Sequence, residues 1–225
     1  MKKSTYSVVL SDRVVAEIDR LAYRKGTNRS NLINEILAEY VSLTTPEQRI
    51  SRIFSDMAAL LYPGEVFREL APPTPSVMSI RSALTYKYNP TVRYTVELFR
   101  DPGAVPGGSQ GIIRVSVRTT SEPLLYELRR FYRLWAETER KFGFPGKSAV
   151  EDNVFRRPIL HRLSPAARDT QKSEAEEKAG AVLAAYVSLM DSGMKLCFRE
   201  PEDEKAAGLL SDLYSAYLSE HREIV

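Results

Sequence analysis

Residues 4–44 read STYSVVLSDRVVAEIDRLAYRKGTNRSNLINEILAEYVSLT, and the order of elements in this stretch decides the reading of the chain. Ser4–Leu10 alternates as a strand must. Tyr6, Val8 and Leu10 fall on one face, and Thr5, Ser7 and Val9 on the other. Ser11 stands where an N-cap belongs, with Asp12 in a first turn that favours a carboxylate. Val14, Val15, Ile18, Leu21 and Ala22 then recur at helical spacing. Gly26 suits the left-handed position that closes a helix. Thr27 or Asn28 caps a second helix, whose apolar positions are Leu32, Ile33, Ile36, Leu37, Tyr40 and Val41.

A lone strand leaves its backbone donors and acceptors without partners. The elements that follow it are helices, so the simplest partner is a second copy of the chain. Two strands pairing antiparallel about a two-fold axis, with four helices over one face, make an isologous homodimer. The outer face of such a ribbon fits the DNA major groove.

In STYSVVLS, DRVVAEIDRLA, the turn KGTNRS and NLINEILAEY, the segment resembles the ribbon-helix-helix domain of the Arc/MetJ/CopG group. The resemblance covers residues 1–44. It implies that the outward strand residues Thr5, Ser7 and Val9 read base edges. The family more often places long polar or basic side chains there. Hydroxyls and a valine leave part of the discrimination to DNA shape. The resemblance also implies a phosphate site at the start of the second helix, at Asn28, Arg29 and Ser30. Lys2 and Lys3, just ahead of the strand, join the phosphate contacts.

Composition is compatible with this. The chain has 225 residues and a formal net charge of +3, which permits DNA binding without requiring it. Its one cysteine, Cys197, rules out an internal disulfide and fits a reducing compartment, so a cytoplasmic location is expected. The start MKKSTYSVVLSDRV lacks the apolar core of a signal peptide. The apolar run Ala179–Met190 falls short of the roughly 18 residues of a membrane span and reads as a buried helix.

The rest of the chain reads as α+β. A helix is expected from Glu47 to Leu61, with Pro46 near its first turn, and a shorter helical piece from Glu65 to Leu70. Residues 45–70 thus form a helical connector. The Pro-rich APPTPS, residues 71–76, reads as a linker to a C-terminal α+β domain over 77–225. Strand signals over Ile80–Tyr88, Val92–Arg100 and Gly111–Thr119 predict a three-stranded antiparallel sheet, with Asn89-Pro90-Thr91 as a tight turn and DPGAVPGGSQG as a long, mobile loop. A helix follows from Pro123 to Phe142 and can cover one sheet face. Gly143–Gln171 lacks periodicity and reads as loop. Ser173–Met190 and Pro201–Glu220 read as closing helices, with MKLCFRE as a short strand between them.

Catalytic and metal sets are not legible. GFPGKS, residues 143–148, ends like a P-loop, but Lys141 stands where the first glycine belongs and a helix precedes it. Metal sensing needs several His and Cys ligands. His161, His221 and Cys197 lie far apart, so neither a metal nor another cofactor is expected. The chain reads as a non-enzyme: a dimeric DNA-binding protein of the transcriptional-regulator kind, with double-stranded DNA as partner and a C-terminal domain for ligand sensing, further oligomerisation or partner binding. Two alternatives use the same residues. One is an accessory protein of plasmid transfer or partition; the other is a dimerisation module without DNA. One feature stays open. Arg81, Lys87, Arg93, Arg114 and Arg118 lie on the expected strands among Tyr86, Tyr88 and Tyr94, and Arg129, Arg130 and Arg133 follow on the helix. They fit a solvated face, a second nucleic-acid surface or an anion pocket.

Overall fold

A computed structural model describes residues 6–40, 45–101, 108–151, 153–160 and 169–220, with backbone alone for 39 and 169–177. The chain divides into two compact units, Met1–Arg49 and Ile50–Val225.

The N-terminal unit is a helical hairpin preceded by an irregular arm. The strand expected over Ser4–Leu10 lies partly outside the described residues. Residues 6–10 are exposed and carry no regular secondary structure in the single chain. Helix α1 spans Asp12–Arg24, with Ser11 at its N-cap position. The Ser11 hydroxyl makes no cap bond, so the boundary rests on its extended backbone (φ −71°, ψ 146°). The helix ends in a Schellman motif: Thr27 N–H donates to the Ala22 carbonyl at 2.9 Å and Gly26 N–H to that of Tyr23 at 3.2 Å. That geometry needs the φ of +63° that Gly26 adopts without a steric penalty. Helix α2 spans Arg29–Tyr40. Asn28, rather than Thr27, caps it, accepting from Asn31 N–H at 2.9 Å.

Helix α3 spans Pro46–Leu61, its first turn in the N-terminal unit and the rest in the C-terminal one. A reciprocal capping box starts it. Gln48 N–H donates to the Thr45 hydroxyl at 3.2 Å, and Thr45 N–H donates to the Gln48 side-chain carbonyl at 2.9 Å. Ile50, Ile53, Phe54, Met57 and Leu61 form its buried stripe.

The helix expected over Glu65–Leu70 is instead an edge strand, β1 (Phe67–Ala71). The Pro-Gly break and Glu65, held at φ +58°, end the helical run, and pairing to the neighbouring strand outweighs local helical preference. The Pro-rich segment joins β1 to β2 (Val77–Ala83), two adjacent strands of one sheet. β2 starts before the expected Ile80 and ends at Ala83 rather than Tyr88, while β3 (Thr91–Leu98) and β4 (Gly111–Val117) start within a residue of the other two expected strands. The connection between β2 and β3 runs over Leu84–Pro90 rather than the expected tight turn Asn89-Pro90-Thr91, and it places Tyr88 and Asn89 at positive φ. Most of the loop expected to be mobile lies outside the described residues.

Helix α4 spans Glu122–Lys141. The expected loop after it contains a hairpin, β5 (Ala149–Glu151) and β6 (Val154–Ile159). Its alternation is hidden because VFRRPI puts an arginine on each face. The sheet is therefore six-stranded and wholly antiparallel, in the order β1-β2-β3-β4-β6-β5, not three-stranded.

Helix α5 runs Asp169–Cys197, and α6 runs Asp203–Glu220. The strand expected at MKLCFRE is mostly the last turn of α5. Met194 and Cys197 are buried there one helical turn apart, a spacing that a two-residue strand period disguises.

One face of the sheet and the four helices make one core. Three polar fasteners cross it. Asp191 on α5 accepts from Ser82 and from the Tyr94 hydroxyl (2.9 Å), and pairs with Lys195 at 2.6 Å. Burial and the Asp191 carboxylate push the Tyr94 phenol well above its ordinary pKa, so it remains a donor. Arg157, fully buried, meets Glu139 at 2.6 Å and lies between the rings of Phe144 and Tyr186. Arg130 bonds Asp203, Glu127 and the carbonyls of Cys197 and Glu200, which ties α4 to the α5–α6 turn. Gly193 lets α5 approach α4, since a Cβ there would stand 2.5 Å from the Trp135 ring. No described helix is long and apolar enough to cross a membrane.

Candidate nucleic-acid interface

As a single chain the N-terminal unit leaves many of its apolar side chains in solvent. Its buried apolar residues are Ile18, Ala22 and Leu32, with Leu21 and Ile33 packed against them. Tyr6, Val8, Val14, Ile36, Leu37 and Tyr40 remain exposed, with Leu37 at 56 % and Tyr6 at 84 %. Below about 40 residues a domain usually needs disulfides, a metal or a partner, and the unit Met1–Arg49 is little larger. Residues 1–49 contain neither Cys nor His, so neither a disulfide nor a zinc site is open to this one. The apolar residues along α1 and α2 are the surface that a partner would cover.

Of the expected base-reading residues, Thr5 lies outside the described residues, and Ser7 and Val9 are exposed, Val9 at 100 %. Lys2 and Lys3 also lie outside them. The three residues expected at the phosphate site lie together at the start of α2. Asn28 spends its side chain on the cap. Helix geometry leaves the N–H groups of Arg29 and Ser30 without intrahelical acceptors. Arg29 is engaged: its Nε and Nη2 donate to the Asp19 carboxylate at 2.7 and 2.5 Å. Both side chains are about half exposed (53 % and 47 %), so this is a surface ion pair that a phosphate can replace. Lys25 pairs with Glu35 at 3.2 Å and adds a second link between the helices.

Of the basic residues noted further along the chain, Lys87 and Arg118 lie outside the strands, and the others separate into two groups. Arg129, Arg130 and Arg133 on α4 are used internally, bonding Asn153, Asp203 and Glu127 among others. Tyr94 is buried, Tyr86 packs edge-on to Phe198, and Tyr88 is exposed beneath the Lys87 ammonium. Arg81, Arg93 and Arg114 share the open face of the sheet with Arg68 and Arg156. The sequence hid Arg68 in an expected helix and Arg156 in an expected loop.

No family model, curated protein or solved structure matches the chain. Among the described residues no group of His, Cys, Asp or Glu could hold a metal ion, while His161 and His221 lie outside them.

Proposed function

We propose that this protein is a homodimeric, sequence-specific DNA-binding protein acting as a transcriptional regulator. Two copies pair their N-terminal arms as an antiparallel ribbon of the ribbon-helix-helix kind. Thr5, Ser7 and Val9 face the major groove, where the hydroxyls exchange hydrogen bonds with base edges and Val9 meets thymine methyl groups. The N–H groups of Arg29 and Ser30, with Lys2 and Lys3, hold the flanking phosphates.

The observation that carries this reading is the mismatch between the N-terminal unit and its core. An alternating arm with no strand partner among the described residues precedes a helical hairpin joined by a Schellman turn and the Asn28 cap, and apolar side chains on both helices stand in solvent. A second copy satisfies both deficits at once.

The test compares the full-length protein with Ser7→Glu on the DNA sequence it prefers. The reading expects Ser7→Glu to abolish preference for that sequence over scrambled duplex while the dimer and its melting temperature persist. Unchanged preference removes the arm from base reading.

A further inference from the structure

The open face of the sheet carries an arrangement that a fold does not keep for stability. Strand register sets Arg68 opposite Arg81, and Arg81 opposite Arg93. In the next row Arg114 stands opposite Arg156. Directly opposed residues on one face lie about 5 Å apart at Cβ, where like charges repel. Five arginines therefore crowd one face, answered by two strand carboxylates: Glu97, 2.6 Å from Arg114, and Glu151, 3.4 Å from Arg156. Among the described residues Arg81 and Arg93 are exposed and make no hydrogen bond or ion pair with another side chain. Positions where the local rules are broken without internal compensation are where function is expected.

The residue types narrow the partner. Every cation on this face is Arg, whose planar fork matches phosphate oxygens, and none is Lys. Ser79, Thr95 and Ser116 lie between the arginines, so the surface is low and an extended backbone can approach it. Aromatic side chains are absent from the strands of this face, so it lacks a platform on which unstacked bases could lie. A second copy docking here about a two-fold axis would bring arginine rows together.

We infer that the rows Arg68-Arg81-Arg93 and Arg114-Arg156 on the open sheet face bind the phosphate backbone of duplex DNA, independently of the N-terminal arm. The choice of duplex rests on the function proposed above; the anion-binding face does not. These contacts are sequence-blind, and they add affinity and salt dependence rather than choice of site.

The test measures binding of the full-length protein to a mixed-sequence duplex across a salt series. Arg81→Gln/Arg93→Gln is expected to bind several-fold more weakly and to flatten the slope of log affinity against log salt by about two units. Its melting temperature should hold or rise, because two repelling charges are gone. Arg81→Lys/Arg93→Lys keeps the charge and most of the slope. An unchanged slope in the Gln variant overturns the proposal. So does a stronger effect on single-stranded than on duplex DNA, which would make the partner an unpaired strand. Preference of the unmodified protein for one sequence over scrambled duplex is measured beside it, because that preference tests the arm and the mixed-duplex slope tests the sheet. If no variant shows sequence preference while the Gln variant still loses slope, the arm reading fails and the sheet reading stands.

Discussion

Arg29, the first residue of α2, grips Asp19 on α1 with two nitrogens of its guanidinium, at 2.7 and 2.5 Å. The hydrogen bonds from Arg29 hold the Asp19 carboxyl below its ordinary pKa and raise that of Arg29. This pair locks the helical hairpin, yet it occupies the cation that the proposed phosphate site needs. Binding must exchange one oxyanion for another.

That exchange has a measurable signature. Asp19→Asn removes the competing carboxylate, so duplex affinity should rise a few-fold by fluorescence anisotropy. Arg29→Ala should weaken binding to every sequence and reduce the salt slope by about one unit. If Asp19→Asn instead weakens binding as much as Arg29→Ala does, the pair matters only for holding α2.

The dimer should fail where apolar side chains are left in solvent. Leu37, 56 % exposed in the single chain, is placed under a partner by the proposed pairing. Leu37→Asp should shift sedimentation velocity from dimer to monomer at micromolar concentration. The larger unit should keep its own melting transition. A persistent dimer would mean that the interface lies elsewhere.

Glu139 neutralises a guanidinium with no exposed surface. It also accepts from the Tyr186 hydroxyl at 2.8 Å and from the Ser148 hydroxyl at 3.2 Å. Glu139→Gln leaves the Arg157 charge buried and uncompensated, and should cost about 3–5 kcal/mol in urea unfolding of the C-terminal unit. A loss below 1 kcal/mol would show that aromatic contact alone satisfies Arg157.

Acid should loosen the joint between α4 and α6. Hydrogen bonds from Arg130 and then Arg133 lower the Asp203 pKa below its ordinary 3.8. A depressed carboxylate stabilises the fold fully above the ordinary value, and that contribution fades as pH falls through the lower folded value. Melting temperature should be level from pH 7 to about 5 and then fall. Asp203→Asn should lower the neutral-pH plateau and shrink that acid decline, modestly, since Asp203 is half exposed. An unaltered acid profile would assign the decline to other carboxylates.

Local signals in the sequence located α1, α2, α3 and α4 within a residue or two, because caps, glycine closure and apolar spacing act within one turn. Gly26 and Asn28 illustrate this. Signals that depend on distant partners were not legible. β1 reads as helix until β2 is beside it. Arg157 breaks the apolar alternation of β6, and only Glu139, 18 residues upstream, makes its burial tolerable. The arginine rows also depend on register: Arg68, Arg81 and Arg93 are scattered in sequence and adjacent only once β1, β2 and β3 pair. Residues 6–10 of the arm alternate in sequence yet are exposed without regular structure in one copy, as a strand paired only to a second chain would be.

The most direct test of the DNA-binding reading is selection of genomic fragments by the purified full-length protein at low and at physiological salt. The account predicts recovery of one short palindromic or tandem motif at both, with affinity falling steeply as salt rises. An intact dimer that enriches no motif at either salt would contradict it.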